Sequence, residues 1–157
     1  MASVDYFLKV KGIDGESSDS KHKNEIDLES FSWGATQTGA SGGSGGKVAV
    51  QDFNFVMKVN KASPKLMKAC AGGDPIDEAV LTCRKASKDQ QEYLIYKLSN
   101  VLVSSYQTGG SGHSDVVPVD KVSLSFGKIE VEYKEMKDGK PGGSIKAGYD
   151  VKGNKAF

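Results

Sequence analysis

Five stretches of this chain alternate apolar and polar residues, and in at least four of them the alternation changes phase partway along. Ile26 and Leu28 are followed by Phe31 and Trp33 in the opposite parity. Val48 and Val50 give way to Phe53, Phe55, Met57 and Val59. Leu94, Tyr96 and Leu98 are followed by Val101 and Val103. Val122, Leu124 and Phe126 switch to Ile129, Val131 and Tyr133, with Gly127 at the join. Strand side chains repeat every two residues, so a change of parity predicts an extra residue or bulge. Repeated four times, the pattern predicts long strands, each bent once so that its halves serve different walls of a curled sheet. A small closed or nearly closed β-barrel turns its corners in this way.

The 157 residues predict one domain spanning 1–157, long enough to bury a core. With 21 basic and 20 acidic residues the net charge is +1, which offers no field to attract nucleic acid or an anionic membrane. No apolar run approaches the length needed to span a bilayer, so no membrane insertion is expected. The start, Met1-Ala-Ser-Val-Asp-Tyr6, has neither a basic region nor an apolar core of a leader. The expected route is therefore synthesis in the cytoplasm and, if the protein is exported, export without a cleaved signal peptide. Cys70 and Cys83, the two cysteines, are expected to be reduced small apolar residues.

Strands are predicted at Asp5 to Lys11, Glu25 to Gln37, Lys47 to Val59, Glu78 to Lys85, Glu92 to Tyr106, Lys121 to Tyr133 and Ser144 to Val151. One short helix is predicted between them, with Ser63 as N-cap, Pro64 in its first position and Gly72-Gly73 as its stop. Its apolar stripe is read as Leu66, Met67 and Cys70, too short to stand without packing on the barrel. Strands with one helix make the fold mainly β.

Chemistry is sparse. Gly46-Lys47 resembles the end of a phosphate loop, but position 41 is serine, position 48 is valine, and the loop leads into a strand rather than a helix. The same loop matches G-x-S-x-G twice, around Ser41 and Ser44, by composition alone. His22 and His113, the two histidines, lie in polar loops, which leaves a three-histidine metal site out of reach. His113 beside Ser111, Ser114 and Asp115 reads as a solvated loop histidine rather than part of a triad. Glu130, Glu132 and Lys128 read as a charged outer or interface face. Phe31, Trp33, Phe53 and Phe55 read as core, and Ser30 and Ser32 alternate with the first two on the opposite, small and polar face. No catalytic residue, metal or cofactor is expected.

Several segments resemble one family. Glu25-Ile-Asp-Leu-Glu-Ser-Phe-Ser-Trp-Gly34 is similar to the second-strand signature of the Hcp family, the tube-forming proteins of type VI secretion systems. Lys47-Val-Ala-Val-Gln-Asp-Phe53, Ser63-Pro-Lys-Leu-Met67, Leu102-Val-Ser-Ser-Tyr-Gln-Thr-Gly-Gly110 and the opening Val4-Asp-Tyr-Phe-Leu-Lys-Val-Lys-Gly12, with Gly15-Glu-Ser17, follow in the family's order. The resemblance implies a two-sheet β-barrel flanked by one short α-helix, a homohexameric ring and stacked rings. It implies a sheath around the tube, a spike at its tip, and effector proteins held in the channel. It also implies that Ser32, with Ser30 on the same face, looks into the channel and takes part in effector capture. Some relatives carry enzymatic C-terminal extensions; with the sequence ending at Phe157, no effector domain is expected here.

The residues taken alone also suit a small-ligand-binding β-barrel without catalytic activity. That reading expects a monomer or dimer with an apolar interior pocket. Under the family reading the glycine-rich loop holding Gly39, Ser41, Gly42, Gly43, Ser44, Gly45 and Gly46 joins two long strands, emerges at one end of the barrel and is expected to contact the next ring. Five glycines in eight residues have no single shape in isolation and can adapt to a neighbouring surface.

Overall fold

A computed structural model describes residues 4–39, 48–86, 90–113, 116–137 and 140–157. Eleven strands and one helix follow in the order β1 (Val4–Val10), β2 (Ile26–Asp27), β3 (Ser30–Ser32), β4 (Ala35–Gln37), β5 (Val48–Val50), β6 (Phe53–Lys58), α1 (Ala62–Gly72), β7 (Ile76–Lys85), β8 (Glu92–Gly109), β9 (Val119–Lys137), β10 (Lys140–Asp150) and β11 (Lys155–Ala156). The stretch read as one strand from Glu25 to Gln37 is three short ones, and Lys47 to Val59 is two. The terminal β11 had no signal in the alternation.

The main sheet runs β11-β10-β9-β8-β7-β1-β2, all antiparallel, and β9 also pairs with β6, which pairs with β3. Strand β9 is the hinge of this arrangement. Its first part, Val119 to Leu124, lies against Lys58 to Phe53 of β6. Its second part, Lys128 to Lys137, lies against β10. All the while β8 runs along its other edge. The two halves of one long strand thus serve two walls, as the parity changes predicted.

The segment between β2 and β3 closes the curl. The Leu28 amide donates to the Tyr6 carbonyl of β1 at 3.0 Å, and the next amide, Glu29, donates to Val56 of β6 at 2.8 Å. The chain therefore steps from one wall to the other, and β1, β2–β3, β6, β9, β8 and β7 form a circuit. Inside it sit Leu8, Ile26, Phe53, Phe55, Met57, Leu81, Leu98, Val101, Val122, Leu124 and Ile129, each almost wholly removed from water. Burying side chains of this size drives folding by roughly 1.5–3 kcal/mol apiece relative to exposure.

The bends are made in two ways. Between Leu98 and Val101 no residue is inserted: Ser99 faces Lys128 and Val101 faces Phe126, in unbroken register. Instead Asn100 takes a left-handed φ of 54°, and Gly127 lies across from it, where an added Cβ would come 3.2 Å from the Cβ of Asn100. Both strands change parity together, so the extra residue expected there is absent. A true bulge lies further along, where the register shifts between Val103 and Ser105 and leaves Ser104 unpaired.

The helix differs in detail from its expectation. Lys61 is the N-cap and makes no side-chain cap bond. The capping role falls to Asn60, whose Oδ1 accepts the Ala62 amide at 2.8 Å. Ser63 lies inside the first turn, and Pro64 follows it there rather than opening the helix. Ala62, Ser63, Leu66 and Ala69 are the buried residues, while Met67 points outward at 50% exposure and Cys70 is half-buried. The stop is as read: Gly73 adopts φ 64° and its amide donates back to Ala69.

Candidate functional site

The outer surface of β3, β6, β9 and β8 is a polar sheet face. Cross-strand pairing builds it in two rows. Ser32 is opposite Asn54, Asn54 opposite Ser123, and Ser123 opposite Ser105. One step along, Ser30 is opposite Val56, Val56 opposite Lys121, and Lys121 opposite Gln107. The row between them, Phe31, Phe55, Val122 and Tyr106, has the opposite parity and packs inward. A concave groove runs over the polar rows, lined among others by Ser30, Ser32, Asn54, Ser105, Lys121 and Ser123.

Ser30 and Ser32 are both exposed, and Phe31 and Trp33 are half-buried against the core, so the faces assigned from alternation are those observed. Phe31 stacks on Phe53 at 5.8 Å and Trp33 meets Tyr96 and Phe126. Sequence reasoning missed the contribution of β8. The bulge at Ser104 reverses parity, and this alone puts Ser105 and Gln107 on the polar face. Its signal was the three-residue step from Val103 to Tyr106, two residues that both point inward. The Ser104 hydroxyl donates to Asp52 at 2.6 Å and fixes the bulge. Ser123 donates to Asn54 Oδ1 at 2.5 Å, and Asn54 Nδ2 donates to the Asp52 carbonyl at 3.2 Å.

Of the glycine-rich loop, Gly39 is described: its amide donates to Gln37 Oε1 at 3.0 Å. Ser41, Gly42, Gly43, Ser44, Gly45 and Gly46 lie outside the described residues.

A second polar cluster was not foreseen. His22, read as a residue of a polar loop, is buried, with its ring stacked on Phe7 at 4.4 Å and its Nδ1 2.9 Å from Glu25. Beside it Arg84, 3% exposed, donates to both oxygens of Asp19 at 3.0 and 2.9 Å and to Asp5 at 3.1 Å. The Arg84 hydrogen bonds hold the Asp19 carboxyl down at about 2. These contacts fasten the loop after β1 to the outside of the β1–β7 wall, and explain why Phe7 is buried although it points away from Leu8. Arg84 gave no signal because its partner Asp19 lies 65 residues away. His113 is exposed. Among the described residues no three histidine, cysteine or acidic groups gather as a metal site.

The fold has known counterparts. The family model described as "Type VI secretion system effector, Hcp" matches residues 7–133. Protein hcp1 of Pseudomonas aeruginosa is 44% identical over 159 aligned positions, covering 97% of this chain and 98% of that one. The chain belongs to the Hcp family. Among solved structures, Hcp1 of Salmonella typhimurium superposes with a TM-score of 0.86 at 41% identity, over 99% of this chain and all of that one. A structure titled as a type six secretion system protein gives 0.91 at 32% identity, again over 99% and 100%. Hcp-family membership makes this chain a type VI secretion tube protein, a component of a secreted structural apparatus. No helix among its described residues is long and apolar enough to cross a membrane.

Proposed function

We propose that six copies of this chain, each a single domain over residues 1–157, close into a ring, that rings stack into the inner tube of a type VI secretion machine, and that the polar face holding Ser30 and Ser32 lines the channel and retains effector proteins. The observation that carries the reading is this face itself. It is four strands wide, concave, rich in hydroxyl and amide groups, and set on the outside of a filled barrel. A surface of that kind offers many weak hydrogen bonds to a passing polypeptide and no deep pocket for one small molecule. The ligand-binding alternative needs an interior cavity, and the interior here is occupied by Phe53, Phe55, Met57 and Leu124.

On this reading the chain works as a wall and not as a catalyst, and needs no cofactor. It is made in the cytoplasm, meets sheath and spike proteins during assembly, and leaves with its effectors. The glycine-rich loop holding Gly39 and Ser41 to Gly46 is the proposed contact with the next ring. Light scattering tests the first step: six chains of 16.7 kDa give 6 × 16.7 ≈ 100 kDa, and a monomeric mass at micromolar concentration overturns it. Ser32→Gln tests the second, and should leave the ring intact while lowering effector retention. Replacing the loop by a two-residue turn tests the third, and should spare rings but impair tube growth.

A further inference from the structure

The polar face carries one positive charge, on Lys121, for which the described residues supply no ion-pair partner. Lys121 is exposed in the middle of the row formed with Ser30, Val56 and Gln107, and lines the groove. The carboxylates nearest in the pairing scheme are engaged elsewhere. Glu29 lies 3.7 Å from Lys58, and Asp52 accepts the Ser104 hydroxyl. Asp120 precedes Lys121 in the strand, so it points to the opposite side, where it is buried against Ser63. Around Lys121, the hydroxyls of Ser30, Ser32 and Ser105 and the carboxamide of Gln107 have no partner among the described residues.

We propose that this groove selects acidic side chains. An aspartate or glutamate of an extended polypeptide crossing the face sets its carboxylate on Lys121 Nζ, and a neighbouring serine hydroxyl or the Gln107 amide donates the second hydrogen bond. The charge decides the class of group: a carboxylate is a compact anion that matches an ammonium point charge, whereas a cation would be repelled by Lys121 even though the neighbouring hydroxyls and amide could accept from it. The inference rests on the reading of this face as the channel wall. In a sixfold ring it makes a belt of six lysines at one height, whose mutual repulsion falls when acidic cargo threads through. Lys121 then sets which effectors are retained, while Ser32 and its neighbours hold whatever passes.

The test uses the full-length protein and a fluorescent twelve-residue peptide of glutamate, serine and glycine, alongside the same peptide with glutamine for glutamate. Fluorescence anisotropy should show the acidic peptide bound about fivefold more tightly, the order expected of one exposed charged contact. The preference should fall as salt is raised. Lys121→Gln should abolish it, Lys121→Arg should keep it, and Lys121→Glu should transfer it to a lysine-containing peptide. Equal binding of the two peptides by the unaltered protein, or a preference that survives Lys121→Gln, overturns the inference. So does displacement of the acidic peptide by a single-stranded oligonucleotide of equal charge at a lower concentration, which would mark a phosphate site. Light scattering on the same samples separates the two readings. Rings without acid preference sink the role of Lys121 alone, and monomers that keep the preference sink the ring alone.

Discussion

The Ser63 hydroxyl, in the first turn of α1, donates a 2.6 Å hydrogen bond to the carboxylate of Asp120 on β9, 57 residues further along. Asp120 is wholly buried, and its other oxygen has no partner among the described residues. Ser63 also accepts the Asn60 amide at 3.0 Å, so it links helix, preceding turn and barrel wall. The first turn of the helix is thereby tied to the strand that both walls share.

Ser63→Ala leaves a buried carboxylate without its hydroxyl donor and should cost about 1–3 kcal/mol, read from the urea midpoint. Asn60→Ala, which removes the side-chain cap, should cost about 1 kcal/mol. The decisive measurement is the cycle of Ser63→Ala with Asp120→Ala. If Ser63→Ala costs the same in both backgrounds, the hydroxyl–carboxylate bond contributes nothing and the buried position of Ser63 is a matter of packing.

Acid should loosen the clasp at Arg84. Asp19 is held near 2 from an ordinary value of 3.8, first by its hydrogen bonds from Arg84, with burial, the next influence, pulling the other way. A carboxyl lowered in the folded state binds fewer protons there than when unfolded, so its stabilisation is complete above about pH 4 and drains away as the pH falls toward 2. The urea midpoint of the natural protein should therefore drop across pH 4 to 2. In Asp19→Asn the drop over that window should be shallower. An unchanged slope would show that Asp19 is not the group responsible.

The corner at Asn100 should tolerate glycine and reject branched residues. Its φ of 54° is open to asparagine and glycine at little cost. Asn100→Gly should leave the melting temperature within a degree or two. Asn100→Val should lose about 1–2 kcal/mol, because a β-branched side chain is strained in the left-handed region. Equal effects of the two changes would place the corner elsewhere.

Burial pushes the Cys83 thiol up to about 12, and its side chain is 1% exposed. In the native protein at pH 8 it should resist maleimide for hours, and in guanidinium it should react within minutes. Mass spectrometry of the labelled peptides distinguishes it from half-buried Cys70. Rapid native labelling of Cys83 would mean that β7 opens readily.

Much of the barrel was legible because period-two alternation survives even where strands bend. The parity changes at Leu28–Phe31, Val50–Phe53 and Leu98–Val101 all mark places where a strand breaks or turns. What alternation could not show was the means: an extra residue and a left-handed asparagine leave the same trace in sequence. The faces of Ser30 and Ser32 followed from Phe31 and Trp33 alone. Ser105 and Lys121 join that face through pairing between distant strands, which no local pattern encodes. The same holds for Phe7 and His22. Phe7 has the parity of an outward residue, and a loop fastened by Arg84 folds over it. Met67 erred in the other direction, since an apolar residue in a short helix need not face the barrel.

The circuit of strands also governs how the chain can be made. Strand β1 leaves the ribosome first, and one of its edges is claimed within twenty or so residues by β2. Its other edge waits for β7, where Val4 meets Lys85. Synthesis proceeds at roughly 5–20 residues per second, so this strand stands with a bare backbone edge for several seconds. Pairing this distant in sequence also makes for slow folding once the chain is complete. Newly made subunits therefore pass through a period in which edge-to-edge sticking competes with closure. Lys9 in β1 and Lys11 just beyond its end keep charge beside that waiting edge.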